Sequence, residues 1–105
     1  MLAIATSEEL QNARKHCKEV AELVITRLGG ELSLVTGEGV IEGVYHADVI
    51  LQNGEGYAIC TIRNWLNETG HMQVLTDDES LIKQVYACRV DIVKGALLGA
   101  FSKKQ

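Results

Sequence analysis

The sequence predicts an α+β domain, an antiparallel four-stranded sheet with an N-terminal and a C-terminal helix packed on one face, in the order α-β-β-β-β-α. Three observations carry this expectation. Apolar residues recur at helical spacing at both ends, alternate with polar ones in the middle, and are divided there by glycine-rich turns. The 105 residues fit one domain, 1–105. An apolar fraction of 47% suits a packed core and is too high for disorder. With no proline, the ten glycines carry most of the turn signals.

The first helix opens at Thr6-Ser7-Glu8-Glu9, which has the spacing of a capping box, Thr6 capping and Glu9 reaching back. Leu10, Ala13, Cys17, Val20, Ala21, Val24 and Leu28 then fall on one arc roughly 100° wide. Gly29-Gly30 should end it, because glycine takes the left-handed cap conformation at little cost. The first strand is expected over 31–36, with Gly37-Glu38-Gly39 as a turn and 40–44 continuing beyond it. The second covers 45–52, with Tyr45, Ala47, Val49 and Leu51 on one face. Asn53-Gly54-Glu55-Gly56 is a strong hairpin signal. The third strand covers 57–63, a loop over 64–70 carries the single tryptophan, Trp65, and the fourth strand covers 71–76.

A second capping box, Thr76-Asp77-Asp78-Glu79, opens the final helix, predicted to run to Lys94 and onward through Phe101. Its apolar arc is unusually broad. Leu81, Val85, Cys88, Ile92 and Ala96 form one side, and Ile82, Tyr86, Val90, Val93 and Leu97 widen the arc to roughly 200°. Packing on one sheet face uses about half of that. The excess predicts contact with the first helix or with another subunit. The candidate interface residues are Arg89, Tyr86, Val93, Leu97 and Phe101. Arg89 lies inside the apolar arc, where a buried cation needs an acid. Asp48, or Asp91 of a second copy, is the partner to expect, unless Arg89 reaches solvent along its aliphatic stem.

Charge and cysteine usage exclude several function classes. The formal net charge is −4 and basic residues form no stripe, so binding along a nucleic-acid backbone is not expected. Cys17, Cys60 and Cys88 are odd in number, widely spaced and without a CxxC pair. That argues against a disulfide framework or zinc knuckle and for a reducing compartment. No signal-peptide pattern or membrane-length apolar run is present, so the expected location is cytoplasmic.

The polar residues concentrate on the far face of the sheet. His46 and Asp48 alternate with the apolar set on the second strand, Arg63 ends the third, and His71 lies on the fourth. Antiparallel neighbours would bring these four onto one surface, as a polar site or as an ordinary solvated face. The His and Cys positions lack metal-ligand spacing, so no metal and no cofactor is expected. Gly37-Glu38-Gly39 and Gly54-Glu55-Gly56 are not phosphate loops, since each holds an acid and neither opens a helix.

One region resembles two known families. Ala47-Asp48-Val49-Ile50-Leu51, Gly56-Tyr57-Ala58-Ile59-Cys60 and Gln84-Val85-Tyr86-Ala87 resemble the small uncharacterised family of cyanobacterial and plastid proteins with the order helix, antiparallel sheet, helix. The resemblance spans roughly residues 44 to 90 and implies a fold without a chemistry. The same region resembles the core of restriction-endonuclease-like nucleases, with Asp48 in the place of the strand aspartate. Thr61-Ile62-Arg63 stands where that family carries its acid-x-lysine triplet and has neither group. Glu22, the nearest helical acid, projects about 150° from the apolar arc. The departures imply an inactive descendant rather than a working nuclease.

The leading functional expectation is therefore a non-enzymatic protein-interaction domain, a homodimer or the binder of a protein partner. The alternatives are a degenerate nuclease-like or nucleotide-acting domain centred on Asp48, and an acidic inhibitor or immunity-type protein.

Overall fold

The computed structural model describes residues 7–66 and 71–103, with side chains over 8–66 and 71–96. The elements are α1 (Ser7–Leu28), β1 (Ser33–Ile41), β2 (Val44–Gln52), β3 (Ala58–Trp65), β4 (Met72–Leu75) and α2 (Glu79–Lys103). The sheet is an antiparallel meander in the order β1-β2-β3-β4. This is the α-β-β-β-β-α architecture that the periodicity predicts.

The helix α1 lies across the sheet, mainly on β2, and turns Ala13, Cys17, Val20, Ala21 and Val24 inward. They meet Val49, Leu51, Cys60 and Ile62 from the sheet. Gly29 ends α1 as expected: its φ is 70° and its N–H donates to the Ile25 carbonyl at 2.9 Å. The predicted cap at Thr6 lies outside the described residues.

The helix α2 packs on α1 and on the β4 side of the sheet, burying Leu81, Val85 and Cys88. Its cap differs from the expected one. Asp78, not Thr76, accepts a hydrogen bond from an early helical N–H, that of Leu81, at 3.2 Å. Thr76 instead accepts from the Asp78 N–H at 3.2 Å and donates to the Ile59 carbonyl at 3.0 Å, which ties the turn to β3. The hydroxyl that pattern reading assigns to the cap is already engaged with the sheet.

The first hairpin also departs from expectation. Gly37-Glu38-Gly39 is not a turn: β1 runs through it in unbroken one-to-one register with β2. The chain reverses at Glu42-Gly43, with φ of 51° and 80°, the two left-handed residues that suit a tight two-residue hairpin. The second hairpin falls where Asn53-Gly54 predicts. The Asn53 side-chain oxygen accepts from the N–H groups of Glu55 and Tyr57, at 2.9 and 3.0 Å. β3 runs two residues further than expected, so Trp65 is its last residue and not part of the loop.

Candidate functional site

Two surfaces gather the chemistry-bearing residues. One is the sheet face away from the helices. Register places Asp48 opposite Arg63 and His46 opposite Trp65. Arg63 grips Asp48 with two hydrogen bonds, Nε to Oδ1 at 2.9 Å and Nη2 to Oδ2 at 3.0 Å. His46 Nδ1 lies 2.9 Å from the same Oδ1. A carboxylate held by arginine only accepts, so Nδ1 is the donor. The Asp48 contact holds the Arg63 pKa above the ordinary guanidinium value.

Aromatic packing closes the cluster. His46 meets Trp65 edge to face, with ring centroids 5.2 Å apart. Arg63 Cζ stands 5.4 Å from the Trp65 ring centroid. The Trp65 indole N–H donates to Gln73 Oε1 at 2.9 Å, and the His71 ring stacks with Trp65 at a centroid distance of 6.5 Å. Although neither described helix covers this face, His46 is only 5% and Asp48 only 8% exposed. Part of the shelter comes from β1, where Gly39 sits opposite His46. A Cβ at Gly39 would lie 2.9 Å from His46 Nε2, so only glycine accepts the ring there. The structure thus brings His46, Asp48 and Arg63 into direct contact and places His71 one ring away. Sequence reading missed Trp65 and Gly39. Strict alternation carried two residues further along β3 would have put Trp65 on this face.

An Asp–His pair can orient a general base. Here Nε2 faces Gly39, and both Asp48 oxygens are already bonded, Oδ1 to Arg63 and His46 and Oδ2 to Arg63. The nuclease resemblance implies a divalent cation at Asp48, and the residues present do not fit one. Arg63 occupies both carboxylate oxygens and places a cation where the metal would sit. Among the described residues, no group of three or more His, Cys, Asp or Glu side chains could hold a metal ion. The hydrogen bonds and ring contacts of the cluster link β2, β3 and β4.

The second surface is the outer side of α2. Its buried residues Leu81, Val85 and Cys88, with half-buried Ile92, follow a 4-3-4 spacing. Tyr86, Val90 and Val93 repeat that spacing about 140° further round the helix, and Leu97 continues it in sequence. Tyr86 is 38%, Val90 49% and Val93 43% exposed. The Tyr86 hydroxyl donates to the Met72 carbonyl at 3.2 Å, pinning the start of the stripe beside β4. The side chains of Leu97 and Phe101, also expected at an interface, lie outside the described residues.

Arg89 stands between the two stripes. The acids expected to pair with it are taken: Asp48 binds Arg63 on the opposite face, and Asp91 binds Arg27 Nη2 at 2.6 Å within the same chain. Arg89 Nε is buried and has no hydrogen-bond partner among the described residues. Its charge reaches α1: burial first, and then the Arg89 cation, hold the His16 pKa below its usual value. Arg89, Val90, Val93 and Lys94 line a shallow depression of about 300 Å³.

The three cysteines are free and buried. Burial, reinforced by Asp48, pushes the Cys17 pKa up to about 12, and burial pushes that of Cys60 up to about 11. No described helix is long and apolar enough to cross a membrane. Neither a family model nor a curated protein nor a solved structure matches the chain.

Proposed function

We propose that the protein is a non-enzymatic interaction domain whose outer α2 face receives a helix from a protein partner, an apolar stripe flanked by acids. One observation carries the reading: the exposed stripe Tyr86, Val90 and Val93 has basic flanks, and beside it the buried Arg89 Nε has no hydrogen-bond partner among the described residues. In the 4-3-4 register Arg89 stands on one flank, and Lys83 and Lys94 stand on the other. Flanking charges set the choice of partner in helix pairing. A second copy of α2 would set these cations against one another, whereas an acidic helix would meet them with complementary charge. Val90 and Val93 supply the apolar floor, and Arg89 supplies donors to a carboxylate that the described residues do not offer.

Two synthetic helical peptides with the same Leu stripe, one flanked by Glu and the other by Lys, test this by fluorescence titration. The Glu-flanked peptide is expected to bind at least tenfold more tightly than the Lys-flanked one, and Arg89→Glu to abolish that preference. Equal affinity for the two peptides, or no binding of either, would refute the reading.

A further inference from the structure

The strand β1 is an unprotected edge. It is nine residues long, against a usual strand of about five or six. Among the described residues only β2 pairs with it. Natural sheets blunt such edges with short strands, bulges, proline or lysine. β1 has none of these: its register with β2 is unbroken, and its single charge, Glu38, is bound to Arg14 at 3.1 Å. Val35, Val40 and Ile41 are exposed along it.

Hairpin geometry says which groups the edge offers. The two-residue turn makes Ile41 and Val44 a hydrogen-bonded pair, so the odd-numbered residues of β1 bond to β2. The N–H and C=O groups of Leu34, Thr36, Glu38 and Val40 then point outward. Gly37 adds a second clue. Glycine weakens a strand interior and marks bulges or close backbone approach. Gly39 has its reason in His46, but a Cβ at Gly37 would meet nothing within 4 Å. Among the described residues, no contact calls for glycine at that position.

We infer that two copies of this chain join antiparallel through β1, with Gly37 facing Gly37 on the two-fold axis, to form one eight-stranded sheet. In this register Leu34 faces Val40 of the second copy, and Thr36 faces its Glu38. All four outward residues of each copy fall in hydrogen-bonded pairs, which gives about eight new main-chain bonds. Val35 lands over Gly39 of the second copy, next to the His46 ring that leans across it. No like charges oppose each other. The contact is independent of α2, which packs toward the β4 side and stays free in both copies.

The register makes the test specific. By sedimentation at micromolar concentration the protein is expected to be a dimer. Thr36→Glu sets carboxylates opposite Glu38 at two symmetric places and should weaken association about tenfold or more. Thr36→Lys, at the same exposed site, should preserve or strengthen it. Mild oxidation of Gly37→Cys should give a covalent dimer, because the facing residues form a close non-hydrogen-bonded pair, whereas Ser33→Cys should not. The three native thiols are buried and do not interfere. A monomer at 100 μM, a dimer indifferent to Thr36→Glu, or equal cross-linking of the two cysteine variants would overturn the inference. Peptide binding by α2 in a monomeric protein would overturn it while leaving the functional reading intact.

Discussion

The two helices use the same spacing to different ends. In α1, Ala13, Cys17, Val20 and Val24 step along the helix at intervals of four, three and four residues and are all buried, while the opposite side is polar. In α2, that spacing appears twice, once inward and once outward. The inner stripe is buried against α1 and the sheet, and the outer one is left in solvent. A helix that needs only the core keeps one apolar stripe. The difference teaches that the breadth of the α2 arc is not explained by the fold, and that apolar spacing alone cannot tell a core face from a docking face.

Substitutions can break that contrast, and the largest effect belongs to the inner stripe. Val85 is fully buried, so Val85→Asp places an unpaired charge in the core. It should cost about 4 kcal/mol or prevent folding, as read by denaturant unfolding. Second comes the sheet face that neither helix covers. Asp48→Ala leaves Arg63 half-buried without its carboxylate and should cost about 3 kcal/mol. A change under about 0.5 kcal/mol in the same unfolding assay would mean that solvent screens the cluster.

A smaller effect sharpens the account of how α2 begins. Asp78→Ala removes the side chain that accepts from the Leu81 N–H and should cost about 1 kcal/mol. Glu79→Gln should cost less, about 0.5 kcal/mol from the lost charge at the helix N-terminus, because the capping box centred on Thr76 does not form.

The smallest effect is a pH dependence at the contact between the helices. Burial, and secondarily the Arg89 cation, depress the His16 pKa, and Glu19 partly opposes them. A histidine whose folded pKa lies below its unfolded value resists protonation in the folded state. Its contribution to stability is complete above the unfolded value of 6.5 and is lost as pH falls through the folded pKa. His16→Gln should therefore flatten part of the decline in melting temperature on acidification below pH 6.5. An identical pH profile in the variant would refute this coupling.

Most of the fold was legible because local and global signals agree. Helical spacing, the Gly29 cap and the Asn53 hairpin each have one mechanism, and each is used where it occurs. The failures share a cause: residues with two physical roles. Gly37-Glu38-Gly39 carries a turn composition, but Gly39 makes room for the His46 ring within an extended strand. Thr76 has the chemistry of a cap, but its hydroxyl binds the Ile59 carbonyl. In the candidate site, alternation was enough to place His46, Asp48 and Arg63 on one face. It could not foresee that Arg63 would take both oxygens of Asp48, which depends on the β2–β3 register. Nor could it separate the two stripes of α2, since only packing shows which one the core takes.

The central claim is that Val90 and Val93, the part of the outer α2 stripe without a bond to the sheet, are spare to the fold and available to the proposed partner. The double variant Val90→Asp, Val93→Asp tests it most directly, with thermal unfolding and Glu-flanked peptide binding measured on one preparation. The account predicts stability within about 1 kcal/mol of the parent, as for exposed sites, together with loss of peptide binding. Collapse of the fold, or unchanged binding by a folded variant, would contradict it.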